Sequence, residues 1–124
     1  MRKVALTVLL AALPMSAVQA QTMPLNQFLD RATKLEKKGA MALFSSDFGK
    51  LKKEMQASAG ALRQERLAAQ RAGKKPAYCP PEKASGLGVE EILGHFRSIP
   101  AAQRNRMTTR DGFRSLMARK YPCR

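Results

Sequence analysis

Few side chains in this 124-residue chain are of types that do chemistry. The single histidine, His95, falls at the flank of its helix's apolar stripe, where a lone imidazole reads as a surface or boundary residue. Glu90 and Glu91 are adjacent, so on a helix they point in different directions and cannot flank a substrate as an acid/base pair. The Gly-x-Ser-x-Gly, His-Glu-x-x-His and phosphate-loop patterns are missing. With one His and two Cys, most zinc sites and all multi-cysteine clusters are excluded. The sequence therefore predicts no catalytic residue, no metal ligand set and no cofactor, and points to a protein that works by binding.

Two groups of residues remain. Cys79 and Cys123 form an even pair, which in an oxidising compartment reads as a disulfide. Closing that segment is worth on the order of 4 kcal/mol by the chain-entropy argument. The competing reading, free thiols with one a nucleophile, needs an activating base, and His95 lies sixteen residues from Cys79 without a companion motif. The second group is cationic: 23 Lys+Arg oppose 9 Asp+Glu, a formal charge of +14. Lysines dominate the first part of the chain, and arginines the last. Arg110 and Arg114 fall one helical turn apart, and with Arg106 they are the candidate anion-binding stripe, for phosphates or anionic headgroups. A solvated basic face accounts for the same charges. Aromatic residues are too sparse among the cations for base stacking, so no nucleic-acid partner is expected.

Residues 1–20 read as a secretory leader. Arg2 and Lys3 precede the uncharged run Val4 to Leu13, Pro14 breaks it, and Ala17-Val18-Gln19-Ala20 presents a cleavage site. The run is about half the ~20 residues that span a bilayer. Removal after Ala20 leaves one domain, 21–124, with a charge of +12 and no transmembrane segment, and a bacterial periplasm is the expected location.

The elements that must position these residues read as helices. Pro24 opens the first, carrying Leu25, Phe28, Leu29, Ala32 and Leu35 on one face, and Lys37-Lys38-Gly39 ends it. Ser45 or Ser46 caps a second, with Phe48, Leu51, Met55, Ala59 and Leu62 as its apolar stripe. That helix can run to Ala72, in which case it projects, or it breaks at Gly60. Met41 and Leu43 sit in the connector between the two, placed to face a partner or to pack locally. After a Gly- and Pro-rich loop, Val89, Ile92, Leu93, Phe96 and Ile99 form a third stripe, ended by Pro100. A last helix starts near Thr108, whose spacing to Asp111 is that of a capping box. No segment alternates with period two, so the class is all-α: a small helical domain of four or five helices closed by one disulfide.

Residues 78–123 carry a more specific pattern, distinct from the helical N-terminal part at 21–77. Tyr78-Cys79-Pro80 opens it, Pro100 follows its middle helix, and Tyr121-Pro122-Cys123 closes it. This resembles the Rap/Tai family of immunity proteins, small exported helical proteins associated with type VI secretion. The resemblance implies a periplasmic protein that binds a peptidoglycan amidase toxin and occludes its cleft, often as a homodimer. No toxin-binding residue is carried over, and the helix after Pro100 is richer in arginine than the family pattern. Two other functions fit the composition: a basic binder of envelope polyanions such as lipopolysaccharide or anionic lipid, and a periplasmic stress chaperone.

Overall fold

A computed structural model describes residues 22–124; the leader lies outside the described residues. Among the described residues the fold is all-α, with five helices and one disulfide. Helix α1 spans Leu25–Lys38, a 3-10 turn covers Gly39–Phe44, and α2 spans Ser46–Arg71. Helix α3 is Val89–Ser98, α4 is the single turn Ala101–Arg104, and α5 is Thr109–Lys120.

The ends of these helices follow from local chemistry. Gly39 stops α1 because it alone tolerates the φ of 55° adopted there. Ser45 caps α2, its hydroxyl accepting from the Asp47 N–H at 3.3 Å. Thr108 and Asp111 complete a reciprocal capping box at the start of α5. Pro100 ends α3 and opens α4, its carbonyl accepting from the Gln103 and Arg104 N–H groups.

Helix α2 runs unbroken through Gly60 for 26 residues, about 39 Å. Leu51 and Leu62, on either side of the glycine, are both buried, and their packing outweighs a propensity cost of at most about 1 kcal/mol. Its second half does not stand free. Helix α5 lies against it, and the returning loop lays the Tyr78 ring under the Arg66 guanidinium at 5.9 Å. The last turn, from Ala68 to Arg71, is largely exposed.

The core draws on both parts of the chain. Phe28 of α1, Phe96 of α3 and Phe113 of α5 meet edge to face, with ring centroids 5.0 to 6.4 Å apart. Around them close Leu25, Leu29, Leu51, Leu62, Ile92 and Leu116. Residues 23–25 pair with residues 107–109. Leu25 N–H donates to the Met107 carbonyl at 3.0 Å, and the Thr109 N–H and hydroxyl both donate to the Met23 carbonyl at 2.8 Å. Phe48 and Val89, expected in buried stripes, are 40% and 62% exposed, and Ala59 is exposed too. Phe48 and Val89 lie in the first turns of their helices, where the stripe runs past the neighbour that would cover it. Among the described residues no helix is long and apolar enough to cross a membrane.

Candidate binding surface

The two cysteines are joined. Cys79 and Cys123 form a disulfide with Cα atoms 4.9 Å apart, and the Cys79 N–H donates to the Tyr121 carbonyl at 2.8 Å. Tyr78 is buried beside them. The aromatic and cysteine residues that open and close the C-terminal part thus meet in one clasp across the base of α2 and α5.

The three candidate arginines do not act as one open stripe. Arg114 is held by two carboxylates, Glu65 of α2 at 2.8 Å and Asp111 at 2.6 Å. Its charge is spent tying α5 to α2, while Arg106 is exposed and Arg110 half-buried. Burial alone would raise the Asp111 carboxyl. Hydrogen bonds from Thr108 and Arg114 outweigh that and hold it below its ordinary value of 3.8.

His95 sits in a shallow hollow with Glu90, Glu91, Arg119 and Lys120. Its Nε2 lies 2.7 Å from the Ser115 hydroxyl, and that hydroxyl donates to the Gly112 carbonyl at 2.9 Å. With the serine proton on the Gly112 carbonyl, His95 is the donor of this pair, from Nε2. Its Nδ1 is buried without a partner. Burial, with help from Arg119, pushes the imidazole below 6.5, leaving it neutral at pH 7.

A larger concave surface lies elsewhere. A groove of about 540 Å³ opens between α1, α2 and α3. Phe28, Ala32 and Leu35 form one wall, Leu51 and Met55 another, and Ile92 and Leu93 the floor. Phe48 and Val89 stand at its mouth, and Lys52, Glu36 and Gln56 are the polar residues along it. A pocket of this size and apolarity, with few polar groups, has the character of a binding site. Ala42 of the 3-10 turn also contributes, and its neighbours Met41, Leu43 and Phe44 project beside it.

Sequence periodicity placed Phe48 and Val89 in the core and so missed the groove. The available signal was the apolar run Met41-Ala42-Leu43-Phe44 in a connector between two capped helices, where core residues are not needed. Compared with protein-family models, curated proteins and solved structures, the chain matches none.

Proposed function

We propose that this protein is an exported immunity protein that binds a peptidoglycan amidase toxin and blocks its cleft by steric occlusion. The observation that carries the reading is the clasp. Tyr78, Cys79, Tyr121 and Cys123, four of the seven residues on which the likeness to Rap/Tai proteins rests, come together in space. The groove supplies what such an inhibitor needs, an apolar face that can anchor a partner's side chains at the centre of an interface. The basic surface would speed encounter with an acidic toxin surface. A disulfide agrees with a periplasmic location.

The test is capture of periplasmic proteins on the immobilised, oxidised protein, with washes at low and high salt, followed by an activity assay on what is retained. Retention of an amidase at high salt, with cleavage of peptidoglycan lost at equimolar inhibitor, is the expected result. Recovery of polysaccharide or lipid alone, lost as salt rises, would refute the immunity reading and favour a polyanion binder.

A further inference from the structure

The groove is concave; next to it the chain has a convex apolar surface. Helices α1 and α2 form a hairpin whose tip is the 3-10 turn Gly39–Phe44. On that tip Met41 is 66% exposed, Leu43 67% and Phe44 83%. Single exposed apolar side chains are ordinary, but three on one turn mark a surface that meets something apolar.

Cations surround this tip. Lys37 and Lys38 occupy the last turn of α1, and Lys50, Lys52 and Lys53 fall within the first ~10 Å of α2. All five are exposed. The neighbouring carboxylates are already engaged: Asp47 by Arg31 at 2.5 Å, Glu36 by Arg97 at 2.7 Å, and Glu54 by the Met23 N–H at 2.8 Å. None of the five lysines joins an ion pair among the described residues. The carboxylates go to arginines and a backbone amide, and the lysines keep their charge. Lys38 turns its ammonium back over the tip, donating to the Ser45 hydroxyl at 3.1 Å.

We propose that this tip docks on the surface of an anionic phospholipid bilayer. Met41, Leu43 and Phe44 enter the boundary between headgroups and acyl chains, and the five lysines lie on the phosphates. Two observations favour a bilayer over a protein. Protein interfaces are depleted in lysine and enriched in arginine, whereas the tip is ringed by lysines and the nearby Arg31 and Arg97 are bound to Asp47 and Glu36. Lysine stems also lie along apolar surface while their ammonium groups reach out to phosphates, which suits a fluid surface without fixed partners. A bilayer cannot fill a concave groove, so the proposal does not rest on the immunity reading, although Ala42 and Lys52 belong to both surfaces.

The experiment is co-sedimentation of the purified, oxidised protein with vesicles of phosphatidylglycerol and phosphatidylethanolamine, and with vesicles of phosphatidylcholine. Mass spectrometry must first show that the N-terminus lies beyond Val4 to Leu13, because that run would partition by itself. Binding to the anionic vesicles only, weakening as salt rises, is expected. Leu43→Ser with Phe44→Ser should weaken it by at least about tenfold. Lys37→Gln with Lys38→Gln should weaken it by about 25-fold. Arg106→Gln with Arg110→Gln should leave it unchanged. The chain has no Trp, so Phe44→Trp reports directly, with a blue-shifted emission on anionic vesicles alone. Circular dichroism of each variant controls for folding. Equal binding to both vesicle types, no binding to either, or loss on changing the arginines but not the tip would each overturn the proposal.

Discussion

Alanine substituted at two glycines of this fold should move stability in opposite directions. Gly60 lies inside α2, and a Cβ built there meets nothing within 4 Å. Gly60→Ala therefore gains helix propensity without a packing cost and should stabilise by about 0.5–1 kcal/mol. Gly112 lies inside α5, buried against the core. A Cβ there would stand 3.0 Å from Phe96 Cε1 and 3.1 Å from Leu25 Cδ1. Neither neighbour has room to yield. Both are fully buried, and the Phe96 ring is held edge-on by Phe28 and Phe113 with centroids 5.6 and 5.0 Å away. Overpacking costs about 1–3 kcal/mol, against a propensity gain of up to about 1. Gly112→Ala should then destabilise by about 1 kcal/mol, and Gly112→Val by more. Urea unfolding measures both, and each kcal/mol should appear as a shift of roughly 4–8 °C in Tm for a domain of this size. A Gly112→Ala protein at least as stable as the parent, or a Gly60→Ala protein below it, would refute the packing argument.

Other consequences can be checked with the same assays. Cys79→Ser should lose about 4 kcal/mol, and equal melting of the parent with and without reductant would contradict that. Thr108→Ala removes half of the capping box and should cost about 1 kcal/mol in urea. Asp111 titrates below its unfolded value of 3.8, so its contribution is full above that pH and is lost as pH falls through the folded value. Asp111→Asn should flatten the acid limb of the stability profile. His95 is lowered from 6.5, so below that value the unfolded chain binds more protons and stability falls as the solution is acidified. Urea titrations between about pH 8 and 5 should show this slope, and His95→Gln should remove it.

The helix ends were legible in the sequence because they rest on local chemistry. Pro24, Gly39, Ser45 and the Thr108–Asp111 spacing each act within one turn, and the structure uses all of them. The continuity of α2 was not legible. A glycine's small penalty is decided by what packs beside it, and Leu62 finds its place only in the assembled core. The arginine stripe misled for a related reason: Glu65, which takes up Arg114, is 49 residues away. Periodicity also marks an apolar face without showing how far the neighbouring helix extends over it, which is why Phe48 and Val89 read as core yet stand at the mouth of a groove. Met41 and Leu43 could be singled out in the connector, but their exposure could not.

The pairing of residues 23–25 with 107–109 has a consequence for how the molecule is made. A ribosome delivers α1 first, yet the carbonyl of Met23 and the amide of Leu25 wait for groups more than eighty residues later. Phe28 likewise waits for Phe113, and Cys79 for Cys123. The α1–α2 hairpin has its own contacts to form early, but the bonds that hold the start of α1 wait for the last helix. Oxidation at Cys123 then fixes a fold that no shorter nascent chain could have completed.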